Sequence, residues 1–289
     1  MIGKNFIFDG NTIPWTKAQG ISAGWYADFD WHPPAVRNSQ IARQDFHGVR
    51  ANPTFAEGRL ITVSGEIFSV TKASRGTARN TIDDIFHIED FPALASEFKK
   101  LEFTDDDGTE WFIWAKVYSM PDYSHRDRGD PIINFTFELF AQDPLIRSKN
   151  IQEANGIDGL WGGTTLPVTL PVQLSGAINQ FEVINAGNFA APAKITITGE
   201  ITNPKVFNLT TGRYFEITTS MSPGDELIID TDLGTVELNG VNALANRAAG
   251  SNWLFVNSGS NFFVLTGDSF DYDDQGKATI KVEWYNTKI

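Results

Sequence analysis

Two clusters of carboxylates have residue types and spacing that come nearest to a metal site in this sequence. Residues 271–276 read DYDDQG, with acids at the first and third positions of a calcium loop, an amide at the fifth and glycine at the sixth. The twelfth position is Val282, where a bidentate glutamate is needed, so the chelate cannot close and a solvated hairpin is favoured. Asp105, Asp106, Asp107 and Gly108 could attract a divalent cation, but Asp-Gly between two β segments favours a hairpin turn.

Catalytic chemistry has little support elsewhere in the chain. The four histidines, His32, His47, His87 and His125, have no ligand spacing such as HxxxH, and none neighbours a nucleophile-elbow serine. We therefore interpret them as surface or core residues. Carboxylates are numerous enough for a glycosidase-type pair, but spacing brings no two of them together. We expect no catalytic, cofactor-binding or metal-binding residues, and a protein that is not an enzyme.

The net charge of the chain argues against a protein that binds nucleic acid through its phosphates. The chain has 23 Lys and Arg against 36 Asp and Glu, a formal net charge of −13. Residues 1–150 contain 16 against 21, hence −5, and the remainder contains 7 against 15, hence −8. Neither half has the basic surface that phosphate contacts require. An acidic wall can still lie beside DNA, because it repels phosphates and lets a duplex slide.

The amino-terminal sequence and the cysteine content bear on the compartment. Residues 1–10 contain Lys4 but only a short apolar run, which is not a signal peptide, and no stretch approaches the roughly 18 apolar residues of a membrane span. We expect a soluble protein made in a cytoplasm, so the sequons at Asn134 and Asn208 receive no weight. The absence of cysteine excludes disulfides, thiolate metal sites and cysteine nucleophiles.

Strand signals dominate the first half of the 289-residue chain, which is long enough for one large or two ordinary domains. Strands are predicted at Leu60–Val70, Trp111–Tyr118 and Ile132–Phe140 from β-branched, aromatic and alternating residues. A helix is predicted over Asp90–Leu101, where Leu94, Phe98 and Leu101 form an apolar stripe. The polar segment Lys72–Asp84 is expected to be a loop.

The second half reads as a separate all-β domain. From Ser148 to about Gln180, glycines and prolines punctuate the chain, which indicates a linker and the strand leading into the second domain. Short strands then recur roughly every ten residues, as in sandwiches and barrels. They are predicted at Lys194–Thr198, Lys205–Leu209, Tyr214–Thr218, Glu226–Ile229, Val236–Leu238, Asn261–Leu265 and Ala278–Trp284. The predicted limits are 1–147 for the first domain, 148–180 for the linker and leading strand, and 181–289 for the second domain.

An ordered series of segments resembles the siphophage distal tail proteins. In the second half these segments are Asn185-Ala186-Gly187, Ala191-Pro192, Ile195–Gly199, Asn203–Asn208, Thr211-Gly212, Ser222–Asp230 and Val236–Gly240. In the first half they are Gly58–Ile67 and the join Phe135–Pro144, where an alternating strand runs into Asp-Pro. Each segment alone is a generic β or turn pattern, so the order along most of the chain is what makes the resemblance specific.

The resemblance implies an all-β protein with one short helix: an N-terminal β-barrel or sandwich-like domain that builds a ring, and a C-terminal galectin-like β-sandwich. Such proteins form a homohexameric hub, as one ring or two stacked rings, at the tip of a virion tail assembled in the bacterial host. The hub joins the tail tube to tail-tip, tail-associated and receptor-binding proteins. DNA passes through its centre without specific binding, and no membrane anchor is implied. The Lys72–Asp84 loop and the linker are expected to form docking arms.

Two alternatives remain open from the sequence. A glycan-binding, lectin-like protein for host recognition would present an exposed aromatic residue near polar side chains, and Trp253 with Asn252 and Arg247 is the nearest such cluster. The run Trp253–Val256 nevertheless indicates a core strand first. Relatives with inserted carbohydrate-binding modules need a domain-sized segment that this chain does not have, so direct host binding is less expected. A hydrolase ranks last because no constellation supports it.

Overall fold

The chain forms two compact β-rich units, residues 1–149 with Ile289 and residues 150–288. The computed structural model describes residues 4–15, 23–38, 40–42, 49–51, 54–88, 98–125, 131–157, 160–161, 177–178, 180–268 and 277–289. The all-β class predicted from the sequence is confirmed, with a single α-helix in the described part of the chain.

The first unit contains thirteen described strands and the helix. The strands are β1 Lys4–Phe8, β2 Asn11–Ile13, β3 Ala23–Trp31, β4 Val36–Arg37, β5 Gln40–Ala42, β6 Val49–Ala51, β7 Phe55–Ala56, β8 Arg59–Ser69, β9 Lys99–Thr104, β10 Glu110–Val117, β11 Asp122–His125, β12 Ile132–Ala141 and β13 Ile146–Ser148. The helix is α1 Lys72–Ile85. The predicted strands at Leu60–Val70, Trp111–Tyr118 and Ile132–Phe140 are therefore confirmed as β8, β10 and β12.

The main sheet of this unit runs in the order β2-β1-β9-β10-β12-β8-β3, with antiparallel neighbours. The Ala27 amide on β3 donates to the Pro14 carbonyl, just after β2, at 2.8 Å. Phe6 on β1 stacks on Phe29 on β3 with ring centroids 4.0 Å apart. The two ends of the strand order therefore meet, and the sheet curls around an aromatic core in the manner of a barrel.

The helix α1 corrects the prediction of a loop at Lys72–Asp84. Thr71 caps it by accepting the Ser74 amide at 3.2 Å. Ala78 and Ile82 are buried, and Phe86 just beyond the helix packs between Phe8 and Phe137 with centroids 5.3 and 4.5 Å away. The segment is otherwise polar and includes Gly76, so the sequence gives only a weak signal for this apolar stripe at i, i+4 and i+8.

The helix predicted over Asp90–Leu101 is wrong at its carboxyl end. Lys99, Lys100 and Leu101 begin strand β9, because Leu101 and Phe103 alternate into the core while Glu102 points outward. The preceding residues 89–97 lie outside the described residues.

The second unit contains sixteen described strands. They are β14 Gln152–Ile157, β15 Leu160–Trp161, β16 Ala177–Ile178, β17 Gln180–Asn185, β18 Ala191–Gly199, β19 Ile201–Thr202, β20 Lys205–Asn208, β21 Arg213–Glu216, β22 Ser220–Met221, β23 Glu226–Asp230, β24 Thr235–Leu238, β25 Val241–Asn242, β26 Phe255–Val256, β27 Gly259–Thr266, β28 Ala278–Trp284 and β29 Thr287–Lys288. All seven strands predicted for this half are confirmed, each within a few residues.

Two sheets make up most of this unit. One runs β14-β28-β18-β23-β24-β25, and the other runs β17-β27-β20-β21. Their inward residues form one buried cluster, to which Ile195, Leu227 and Val282 contribute from the first sheet and Val206 and Phe263 from the second. This is the two-layer packing of a β-sandwich. The Asn239-Gly240 turn joins β24 to β25 with both residues at positive φ, 52° and 75°, as a two-residue hairpin requires.

Candidate functional site

The outer face of the first unit's sheet is polar where strands β3, β8, β12 and β11 lie side by side. Strict alternation sends Phe135, Phe137 and Leu139 into the core and leaves Thr136 and Glu138 on the outside. One cross-strand row on this outside joins Asp28, Ser64, Thr136 and Asp122. The neighbouring rows join Tyr26, Glu66, Asn134 and Ser124 on one side, and Asp30, Thr62 and Glu138 on the other.

All charges on this surface are negative. Asp28, Asp30 and Asp122 are exposed, and Glu66 and Glu138 are half-buried. The four strands contain no lysine, and their single arginine, Arg59, is 5% exposed and therefore absent from the outer face. We call the outer surface formed by these five carboxylates the acidic face. Because no cation lies among them on these strands, the surface must carry a negative potential.

Hydrogen bonds hold part of the acidic face in place. The Tyr26 hydroxyl donates to Glu66 Oε2 at 2.8 Å. Partial burial, together with this bond and the Glu66 charge, raises the pKa of Tyr26, so the phenol remains a donor at neutral pH. A shallow depression of about 380 Å³ lies over Tyr26, Asp28, Glu66 and the Asn134–Thr136 stretch. The Tyr26–Glu66 bond thus fixes one part of an open polar surface.

This arrangement repels anions through its carboxylates. Phosphates are held most strongly by cations, and the four strands of the acidic face present no lysine or arginine on their outer side. In the described part of the chain, His, Asp and Glu side chains form no group of three that could hold a metal ion.

A second surface lies beside the acidic face on the same sheet. Across β9 and β10, Lys100 is directly opposite Trp114, and across β10, β12 and β8, Lys116, Phe140 and Leu60 form one row. The Tyr118 and Phe140 rings lie 6.1 Å apart. We call this surface, formed by Leu60, Lys100, Trp114, Lys116, Tyr118 and Phe140, the aromatic–lysine stripe.

Several apolar groups of the aromatic–lysine stripe are open to solvent. Trp114 is 45% exposed, Tyr118 is 59% exposed and Leu60 is 37% exposed. The ammonium group of Lys100 lies 4.3 Å from the centre of the buried Phe112 ring, which packs edge-on against Trp114. Lysines therefore flank exposed aromatic surface, and tryptophan and tyrosine are residue types enriched at protein interfaces.

The other candidate residues fall into two groups. Some have a local structural role in turns, strands or hydrogen bonds, and the rest lie outside the described residues. Asp105–Gly108 forms the predicted hairpin turn between β9 and β10, with the Gly108 amide donating to the Asp105 carbonyl at 3.0 Å. His32 Nε2 lies 2.9 Å from the Thr62 hydroxyl, and His87 Nδ1 donates to the Asp84 carbonyl at 2.8 Å. His125 ends β11. His47 and the calcium-like segment 271–276 lie outside the described residues.

The cluster considered for glycan binding is part of the second unit's packing. Trp253 is half-buried against the core, with its ring 4.9 Å from that of Phe215. The Arg247 guanidinium lies 5.5 Å from both ring centres and donates to the Ser251 carbonyl. Only Phe255 and Val256 of the predicted core strand are in strand conformation. The aromatic face that would stack on a sugar is therefore engaged internally.

A groove of about 730 Å³ lies on the outer side of the second unit's larger sheet. Its described lining includes Asn155, Thr196, Glu226 and Lys281, and Phe181 is the single aromatic residue among them. The Lys281 ammonium pairs with Glu283 at 2.9 Å. The described lining of the groove offers polar groups but no tryptophan or tyrosine platform on which a sugar could stack.

The fold and these surfaces define an all-β protein of two compact units with extended polar and aromatic outer surfaces. Residues 186–286, within the second unit, match the profile of the family described as siphovirus-type tail component, C-terminal domain. This match, together with the fold shared with a solved distal tail protein, confirms the resemblance to the siphophage distal tail proteins.

Solved structures extend the likeness to the whole chain. The crystal structure of SPP1 Dit, described as a paradigm of the hub adsorption apparatus in phages infecting Gram-positive bacteria, superposes with a TM-score of 0.65. The alignment covers 99% of each chain at 10% sequence identity, which shows a shared fold. The baseplate of phage P2 in its activated conformation aligns more weakly, with a TM-score of 0.36 and 11% identity over 88% of this chain and 90% of that one. No curated protein sequence matches the chain.

The described part of the chain contains no helix with the length and apolar character of a membrane span.

Proposed function

We propose that this protein is a distal tail protein whose copies form a six-fold hub ring, as one ring or two stacked rings, in a long non-contractile phage tail. The ring joins the tail tube to the tail-tip, tail-associated and receptor-binding proteins, and DNA passes through its centre. The tail-component family of residues 186–286 and the fold shared with SPP1 Dit support this role. The role is structural and needs no enzymatic activity, cofactor or metal.

The observation that supports a DNA channel most directly is the acidic face. A channel through which DNA moves must repel phosphates weakly and evenly, because a basic wall would hold the duplex through released counterions. The acidic face has Asp28, Asp30 and Asp122 exposed, without a lysine or arginine on its outer surface. We therefore assign the acidic face to the wall of the central channel.

The ring is tested by measuring the mass of the purified full-length protein with light scattering and by imaging it with negative-stain electron microscopy. We expect six or twelve copies of the 32.0 kDa chain in a ring with an open centre. A chain that stays monomeric at every concentration measured would contradict self-assembly into a hub.

The channel assignment is tested by gold labelling, which is simple because the chain has no cysteine. Ser64→Cys places a label on the acidic face, and Leu233→Cys, at a residue that is 74% exposed in the second unit, serves as the control. We expect gold at the ring centre for the Ser64 variant and away from it for the control. Gold at the outer rim in the Ser64 variant would overturn the assignment.

Charge reversal gives a second readout of the same assignment. Asp28→Lys, Asp30→Lys and Glu138→Lys together should make the ring retain short DNA duplexes at low salt, whereas the wild-type ring should not. A matched control reverses three carboxylates on the larger sheet of the second unit: Glu153, Asp230 and Glu237. Equal DNA retention by both variants would show that net charge, rather than the channel, is responsible.

A glycan-binding role remains a weaker proposal. The groove on the second unit has suitable polar groups, but the Trp253 side chain packs internally. A glycan array on the intact protein would test this role.

A further inference from the structure

The aromatic–lysine stripe is one described surface of the first unit that the proposed channel does not account for. It exposes Trp114, Tyr118 and Leu60, three large apolar side chains, beside Lys100 and Lys116. Exposed tryptophan and tyrosine beside cations are unfavourable for solubility unless another protein covers them. Tryptophan and tyrosine are also the residues that contribute most to binding when such a surface is buried.

We propose that the aromatic–lysine stripe docks on a second copy of this chain and forms the subunit contact of the hub ring. The inference rests on the proposed ring and adds the surface through which it closes. A ring closes through heterologous contacts, in which one surface of a subunit meets a different surface of the next.

Charge favours a second copy as the occupant. Each copy has a net charge of −13, so acidic surface on a neighbouring copy can attract the lysines of the stripe, of which Lys100 also pairs with Glu102 at 3.3 Å within its own chain. Two stripes facing each other across a two-fold axis would oppose Lys100 to cations of its partner, which disfavours an isologous pair. Electrostatics therefore favours the head-to-tail arrangement that a ring requires.

The position of the stripe is also consistent with a ring subunit. Strand β12 contributes Glu138 to the acidic face and Phe140 to the stripe, two residues further along the same outer side. In a ring, a subunit whose acidic face lines the central axis needs its docking surface beside that face. Strand β12 contributes residues to both surfaces. The Phe140 ring packs closely over Gly58, where an added Cβ would lie 2.5 Å from Phe140 Cζ.

The test measures the oligomeric mass of the full-length protein over a range of concentrations. Trp114→Arg should raise the concentration at which rings form by at least roughly 30-fold, as loss of a central interface tryptophan does. Val70→Arg is the matched control, because Val70 is 81% exposed in the same unit and lies off the stripe. The thermal unfolding midpoint of each variant shows whether it folds.

A photo-crosslinking amino acid at Tyr118 identifies the protein that docks on the stripe. This experiment does not depend on whether the Trp114→Arg variant folds. Irradiation of the assembled protein should give a covalent dimer whose crosslinked peptide lies outside the stripe. Rings that form equally well with Trp114→Arg would overturn this inference and leave the hub proposal intact. A wild-type protein that never assembles would overturn both, and a crosslink from stripe to stripe would overturn the head-to-tail contact.

Discussion

The side-chain oxygen of Asn185 accepts the backbone N–H of Thr287 at 3.3 Å, across 102 residues of the chain. The same oxygen accepts the Gly187 amide at 2.9 Å, and Asn185 Nδ2 donates to the carbonyls of Phe189 and Val256 at 2.7 and 3.1 Å. Asn185 is fully buried. One amide group therefore connects the end of β17 to β26 and β29.

Asn185→Ala should strongly destabilise the second unit. The substitution leaves four backbone groups without this partner in a buried position, which costs about 3 kcal/mol or more. Urea unfolding followed by tryptophan fluorescence measures the change. Asn252→Ala is the control, because Asn252 is exposed and makes one local bond to the Gly250 carbonyl. A loss below about 1 kcal/mol for Asn185→Ala would contradict this account.

Gly65 and Gly76 should respond in opposite directions to alanine. A Cβ at Gly65 would lie 2.1 Å from the Tyr26 carbonyl oxygen and 2.4 Å from Phe135 Cζ, so Gly65→Ala should cost at least about 2 kcal/mol. A Cβ at Gly76 meets nothing within 4 Å, and Gly76→Ala in α1 should add about 1 kcal/mol through helix propensity. Thermal unfolding midpoints check both. A destabilised Gly76→Ala would contradict a helix at this place.

The glycine pair shows what sequence reasoning could and could not find. Gly65 was visible as an interruption in a predicted strand, yet the strand continues through it because Tyr26 and Phe135 occupy the space of a side chain. Segments rich in Val, Ile and Phe were predicted correctly because their pattern is local. The strand β14 has the sequence QEANGI, whose only β-branched residue is its last, and is formed by pairing with β28, so tertiary contacts decide it.

The acidic face could not be predicted as a unit. Two of its strands were predicted, β8 from its β-branched residues and β12 from alternation. Strand β3 was missed although Trp25, Ala27, Phe29 and Trp31 alternate with polar residues. Even with all four strands known, the register that puts Asp28 in one row with Asp122 depends on three successive strand pairings, two of which join residues 36 or more positions apart. The composition shows that the chain is acidic. It does not show that five of the carboxylates lie together on one face of a sheet.

Tyr123→Phe should make the first unit less sensitive to alkaline pH. The Tyr123 hydroxyl donates to Asp83 on α1 at 2.7 Å, and burial, reinforced by that bond, raises the pKa of Tyr123 well above its usual value. A raised folded-state pKa gives stability that is complete below the unfolded pKa of about 10 and is lost as the pH rises through the folded value.

The measurement compares thermal unfolding midpoints of wild type and Tyr123→Phe between pH 7 and pH 11. At pH 7 the variant should be less stable by about 1 kcal/mol, because its hydrogen bond to a carboxylate is lost at a partly exposed site. The difference should shrink above pH 10. Tyr214→Phe, in the second unit, is the control. A difference that is constant with pH would contradict the role of this phenol.

Asp225 should contribute stability that acid removes. It accepts the Ser222 amide at 2.7 Å and the Asn239 side-chain amide at 2.9 Å, and these bonds lower the pKa of Asp225. A lowered folded-state pKa gives stability that is present above the unfolded pKa and is lost as the pH falls through the folded value. Asp225→Asn should therefore lower the unfolding midpoint at pH 7 and have little effect near pH 2. Glu237→Gln, at an exposed carboxylate on β24, is the control, and an equal response of the two variants would contradict the assignment.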